Sequence, residues 1–126
     1  MPLVRVDVPE TTSASHRNAI ADVVYGAIHD VFGAPNGDKF IIINAHSPEN
    51  LHIDPHYLVE RTERAIIIQI TLNAGRTVEL KKKFYEAVAS GLHEEIDIRR
   101  EDVFINLVEV PKENWSFGGG IAQYAD

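Results

Sequence analysis

The chain has 126 residues, 44% of them hydrophobic, with 19 acidic against 12 basic side chains and no cysteine. That length suits one domain with its own core, residues 1–126, while the lack of cysteine excludes a disulfide framework and any thiolate nucleophile or ligand. A formal charge of −7 argues against a nucleic-acid surface. No basic-then-apolar leader and no apolar run near the ~20 residues of a bilayer span is present, so a soluble cytoplasmic protein with no membrane partner is expected.

The chain opens Met1-Pro2-Leu3-Val4-Arg5-Val6-Asp7-Val8, a Val-rich strand signal directly behind Pro2. A small residue in second place normally allows the initiator methionine to be removed, which would make Pro2 the amino terminus. Tied into a sheet, a terminal proline is a fixed secondary amine. Burial or a neighbouring Arg would lower its pKa from the ordinary α-amino value of about 8 and leave it a usable general base. Many chains begin Met-Pro without such a role, so this reading rests on the rest of the sequence.

Pro9 and Glu10 end the strand, and Thr11-Thr12-Ser13 offer helix-capping hydroxyls. Ile20, Val23, Val24, Ala27, Ile28, Val31 and Phe32 recur at helical spacing and predict an amphipathic helix. Gly33-Ala34-Pro35-Asn36-Gly37-Asp38 stops it, and Lys39 to Asn44 reads as a strand apolar enough to be covered on both faces. Residues 45–64 read as a long loop with a short strand near Tyr57-Leu58-Val59. His46, His52 and His56 within it match no compact metal-ligand spacing, so no metal is expected. Ala65 to Leu72 is the strongest strand signal. Thr77 caps a second helix marked by Leu80, Phe84, Ala87, Val88 and Leu92, with Lys81, Lys82 and Lys83 on a solvated face. Val103 to Val110 is the last strand, and the Gly-rich tail from Trp115 to Tyr124 is expected to close with a brief strand pair.

The two halves thus read strand, helix, strand twice, with Asp38 and Asp102 opening matching strands 64 residues apart. The fold class predicted is α/β (α+β): a tandem βαβ repeat forming a four-stranded mixed sheet with two helices on one face. The other face, apolar and bare, implies sheets of several copies packed together, with the tail elements pairing across subunits.

Pro2 at the head of a strand, the doubled βαβ unit and the implied oligomer together resemble the tautomerase superfamily, whose members use an amino-terminal proline. Three further stretches, Gly33 to Asp38, Thr71-Leu72-Asn73-Ala74-Gly75-Arg76 and Trp115-Ser116-Phe117-Gly118, resemble its malonate semialdehyde decarboxylase branch. The resemblance spans almost the whole chain. It implies a tautomerase (MIF-like) homotrimer with an active site at each subunit boundary, no cofactor, and a small carboxylate-bearing substrate. It also implies that Pro2 is the catalytic proline, Asp38 an acidic partner, Arg76 the holder of a substrate carboxylate, and Trp115 and Phe117 pocket-lining aromatics. His29 corresponds to a substrate-binding histidine of the related cis-3-chloroacrylic acid dehalogenase branch. Ala74 stands where the decarboxylase pattern has a second arginine.

Each of these residues has a plainer reading. Arg76 follows a strand and precedes a helix, where a planar fork suits bidentate carboxylate binding, yet a solvated turn arginine would look the same. Asp38 fits water activation, polarisation of the proline, or the turn Asn-Gly-Asp. Trp115 and Phe117 serve equally as a water-excluding wall and as interface packing, and His29 beside the apolar stripe reads first as a structural histidine. Three functions follow. One is keto–enol tautomerisation of a 2-oxo acid with Pro2 as base. The second is decarboxylation or hydration of a three-carbon oxo acid with protonated Pro2. The third is a trimeric binding module with no chemistry.

Overall fold

The structure, a computed structural model, describes residues 2–125; Met1, on whose removal the terminal-proline reading depends, lies outside the described residues. Strand β1 (Leu3–Pro9) leads into helix α1 (Ala14–Phe32) and strand β2 (Ile41–His46), and strand β3 (Ile66–Asn73) leads into helix α2 (Val78–Ile96) and strand β4 (Val103–Val110). The helices begin and end where the sequence chemistry places them. Ser13 accepts a hydrogen bond from the His16 N–H at the start of α1, and Thr77 accepts one from the Leu80 N–H at the start of α2. Gly33 (φ 72°) closes α1 in the left-handed conformation and donates its N–H to the His29 carbonyl. Asp97 (φ 55°) does the same for α2 with the His93 carbonyl.

The internal repeat is strict in three dimensions. Ala14 and Val78, which open the two helices, are 64 residues apart, and so are Phe32 and Ile96, which end them. The sheet order is β2-β1-β3-β4. The parallel pairs share one register, Val4 opposite Ile41 and Ile66 opposite Val103, a displacement of 37 residues in each half. At the antiparallel seam Arg5 lies opposite Gln69, its own counterpart 64 residues on. A local twofold axis therefore passes through the Arg5–Gln69 pair.

Alternation along the strands divides the sheet into two unlike faces. Val4, Val6, Val8, Ile66, Ile68, Ile70 and Leu72 point toward the helices and are buried against Ile20, Val24, Phe84, Val88 and Leu92. Each such side chain contributes roughly 1.5–3 kcal/mol of burial, which is where most of the fold's stabilisation resides. At Gly91 the two helices pack without room for a side chain, since an added Cβ would lie 2.7 Å from Val23 Cγ1. Ala is a better helix former than Gly by about 1 kcal/mol, but overpacking against a β-branched neighbour costs about 1–3 kcal/mol. Gly91→Ala is therefore expected to be net destabilising by about 1 kcal/mol in urea unfolding, with part of the loss recovered in Gly91→Ala/Val23→Ala.

The opposite face is not the uniformly apolar surface expected. Phe40, Ile42, Phe104 and Val108 are exposed on it, but Arg5, Gln69 and Asn106 form a polar belt between them, with Gln69 Nε2 donating to Asn106 Oδ1 at 3.0 Å. Toward the far end, Asp7 Oδ1 and His46 Nε2 lie 2.6 Å apart. Lys81 also departs from the expected solvated run: its ammonium bonds Glu109 at 2.8 Å.

Two local expectations are corrected. Residues 57–59 are not a strand, because Asp54 accepts from the His56 and Tyr57 N–H groups and bends the chain into a turn in which Leu58 takes φ 64°. Nor does the described tail form a strand pair within one chain. Gly118, Gly119 and Gly120 all have positive φ, which breaks an extended run, and Gln123 closes the loop by accepting from the Phe117 N–H and donating to the Gly118 carbonyl. Asp102, the counterpart of Asp38, is 1% exposed and accepts from both the N–H and the hydroxyl of Thr62.

Candidate active site

Register alone gathers the expected residues at one end of the sheet. Here β1 and β2 begin and β3 and β4 end, so Pro2, Asp38, Arg76 and the segment after Val110 converge. Pro2 is buried. It directly precedes Leu3, which pairs with Thr71, and it has the strand parity of Val4, on the helix-covered face.

Arg76 is half-buried, and its guanidinium is held from two sides. Nη1 donates to the Asn73 carbonyl at 2.7 Å, and the group lies over the Phe32 ring at 5.1 Å, a cation–π arrangement. Phe32 in turn stacks on Phe84 at 4.5 Å, so the shelf under the arginine belongs to the core. Among the described residues the remaining guanidinium donors have no hydrogen-bond partner, which leaves a fork able to take a carboxylate. Glu109 is the nearby anion, but Lys81 is bonded to it and holds its pKa below the ordinary glutamate value, with lesser help from the Gly75 N–H and Arg76. The lysine thereby offsets the charge that would otherwise compete for Arg76.

An aromatic wall stands beside this fork. The Trp115 indole donates to Asn73 Oδ1 at 2.8 Å and stacks on Phe117 at 5.5 Å with the planes 6° apart. Phe117 meets Phe40 at 6.0 Å and the edge of Tyr124 at 5.0 Å. Burial raises the Tyr124 pKa, and the charge of Asp38 raises it further, so the phenol stays protonated through the neutral range and Asp38 lies within its electrostatic reach. Asp38 itself sits in a turn fixed to α1 by the Gly37 N–H, which donates to the Tyr25 hydroxyl at 2.8 Å.

Pro2, Asp38, Arg76, Trp115 and Phe117 thus lie at the same end of the sheet, but His29 is not joined to the others by any hydrogen bond or ring contact among the described residues. Its Nδ1 lies 3.0 Å from Asp30 Oδ1, on a side chain 44% exposed. The three histidines expected in the loop are engaged separately: His46, which in fact ends β2, with Asp7, His52 with the Glu49 carbonyl and His56 with Glu60. Sequence reasoning missed Phe32, Phe40, Asn73 and Tyr124. Asn73 and Tyr124 stood within stretches already singled out, but nothing in their spacing marks which neighbour they touch.

Two family models, both described as tautomerase enzyme, match residues 2–61 and 38–118. Probable tautomerase YusQ of Bacillus subtilis (strain 168) is 36% identical over 98% of this chain and 98% of its own length. The solved structure of FG41 malonate semialdehyde decarboxylase inhibited by 3-bromopropiolate is also 36% identical, with a TM-score of 0.90 over 97% of this chain and 93% of that one. A fused 4-OT symmetric trimer shares the fold alone, at 20% identity, with a TM-score of 0.79 over 97% of each chain. With the doubled βαβ sheet and near-full-length similarity on both counts, the chain belongs to the tautomerase superfamily, in its malonate semialdehyde decarboxylase-like branch.

Proposed function

We propose that the protein is a cofactor-independent tautomerase of small 2-oxo acids that works with Pro2 as general base once Met1 has been removed. The observation that carries this reading is the convergence of a buried Pro2 with a half-committed Arg76 guanidinium beside an aromatic wall. Arg76 holds the substrate carboxylate. The Pro2 nitrogen takes a proton from the carbon next to the ketone, the C–H electron pair moves into a carbon–carbon double bond, and the carbonyl pair moves onto oxygen. The same proton, now on Pro2, is then delivered to that oxygen to give the enol. Burial disfavours the charged form of the amine and so favours the base. Trp115 and Phe117 exclude water, and Asp38 with Tyr124 supplies polar groups at the oxygen's end of the site.

The similarity to FG41 malonate semialdehyde decarboxylase supports a second reading, decarboxylation or hydration of a three-carbon oxo acid, in which Pro2 is protonated and polarises a carbonyl. The two differ in sign with pH. A base gains activity as pH rises through the amine pKa, whereas an acid loses it. Nitrogen-labelled NMR of Pro2 separates them, a pKa well below the ordinary value of about 8 supporting the base. We further propose a homotrimer, supported by the exposed apolar groups on the open sheet face and the trimeric assembly of the fused 4-OT relative.

Arg76→Ala provides the test of the carboxylate contact. A charge-assisted hydrogen bond is worth roughly 1.5–3 kcal/mol, so kcat/KM for phenylpyruvate is expected to fall about tenfold or more. The same change removes the hydrogen bond to the Asn73 carbonyl and the contact with Phe32, so stability should also fall by roughly 1–2 kcal/mol while the protein stays folded. Unchanged kinetics would return Arg76 to the scaffold.

A further inference from the structure

Asn73 ends β3, opposite Val110, and the Ala74 N–H donates to the Val110 carbonyl at 3.0 Å, so the two strand exits are locked to each other at this residue. From that fixed point Asn73 makes two bonds in different directions. Its carbonyl accepts from Arg76 Nη1 at 2.7 Å and its side-chain oxygen accepts from the Trp115 indole at 2.8 Å. Trp115 lies 42 residues further along the chain, and beyond this bond and its stacking on Phe117 no other hydrogen bond or ring contact holds it among the described residues. We infer that Asn73 is a positioning residue of the site: its amide sets the distance between the carboxylate-binding fork and the aromatic wall, and thereby the size of acid accepted.

The two bonds are separable by mutation because one uses the backbone. Removing the side chain releases Trp115 and, through their stacking, Phe117, but leaves the Arg76 anchor in place. The expected signature is weaker and less selective binding with the chemical step preserved. This rests on the function proposed above. The tether itself can nonetheless be read without substrate, because Trp115 is the only tryptophan in the chain.

Acrylamide quenching of Trp115 fluorescence is therefore measured in wild type, Asn73→Ala and Asn73→Asp. Asn73→Ala should quench more readily and emit further to the red, while Asn73→Asp, which keeps an acceptor for the indole N–H, should match wild type. Asn73→Ser, too short to reach the indole, replaces the alanine variant should that one fail to fold. In kinetics, Asn73→Ala should raise KM for phenylpyruvate by about 3–10-fold, the range a neutral hydrogen bond spans, with kcat little changed. The increase should vanish in a Trp115→Phe background, since the bond is already gone there. Wild-type quenching in Asn73→Ala, equal loosening in Asn73→Asp, or fully additive kinetic effects would each overturn the inference. Loss of the KM effect together with full activity in Pro2→Ala would instead condemn the proposed function and leave the tether standing on its fluorescence.

Discussion

Pro2→Ala is expected to lower kcat/KM for a 2-oxo acid by about 10²–10⁴-fold, the usual contribution of a positioned general base. Alanine would still present an amine, so the loss measures position and basicity rather than the mere presence of nitrogen. The proline ring removes a rotational freedom that a primary amine regains, and the smaller side chain admits water to a place now buried. Stability should change little, by about 0.4–1 kcal/mol, because Leu3 and its successors still hold the strand in the sheet. A second measurement guards the result. Protein in which methionine is retained has an amide nitrogen at residue 2, with no basicity, and should be at least as inactive as the alanine variant. Mass spectrometry of each preparation shows which species is being assayed. Full turnover in Pro2→Ala would place the base elsewhere, whereas absence of turnover in the processed wild type would leave the binding module as the remaining account.

The largest stability effect is expected at Phe84. Its ring is fully buried, stacked on Phe32 at 4.5 Å and met edge-on by Tyr85 at 6.4 Å. Phe84→Ala should destabilise by about 3–5 kcal/mol, the sum of lost burial and the cavity left where the core relaxes incompletely. Against a typical total of about 5–15 kcal/mol, that removes a large share of the stability. At about 3–5 °C per kcal/mol for a chain of 126 residues, the melting temperature should fall by roughly 9–25 °C. The more informative variant is Phe84→Leu, which keeps most of the volume. It should cost less stability yet still raise KM for the carboxylate, because Phe32, on which the Arg76 guanidinium rests, loses its stacking partner. An unchanged KM in Phe84→Leu would show that the carbonyl of Asn73 alone is enough to hold the arginine.

Local chemistry was legible wherever the chain decides its own conformation. Thr77 and Gly33 announced helix ends through hydrogen bonds to groups three or four residues away, and the apolar period of α1 and α2 needed no partner to be recognised. The grouping of Pro2, Asp38 and Arg76 came from the family resemblance, and the strand register puts all three at the same end of the sheet. Failures lie where distant groups decide. The turn at 54–61 is set by Asp54 and Arg61 bonding to backbone, with Arg61 reaching the carbonyls of Asp54 and Tyr57, which a Tyr-Leu-Val run disguises as a strand. The tail is shaped by a Gln123 side chain bonding back to Phe117 and Gly118, and the open face carries a polar belt because Gln69 and Asn106 satisfy each other across strands. None of these pairings leaves a period or a spacing in the sequence.

The twofold axis through Arg5 and Gln69 has a chemical cost. A shift of 64 residues carries Pro2 onto Ile66 and Asp38 onto Asp102, so the backbone offers the same cradle at both ends of the sheet. At the second cradle the nitrogen of Ile66 is locked in a peptide bond to Ala65, and Asp102 is occupied with Thr62. An interior residue cannot supply a free amine, however well its surroundings mimic those of a terminal one. On the proposed role of Pro2, doubling the βαβ unit within one chain doubles the scaffold without doubling the chemistry, and a reagent that alkylates the Pro2 amine should saturate at one equivalent per polypeptide.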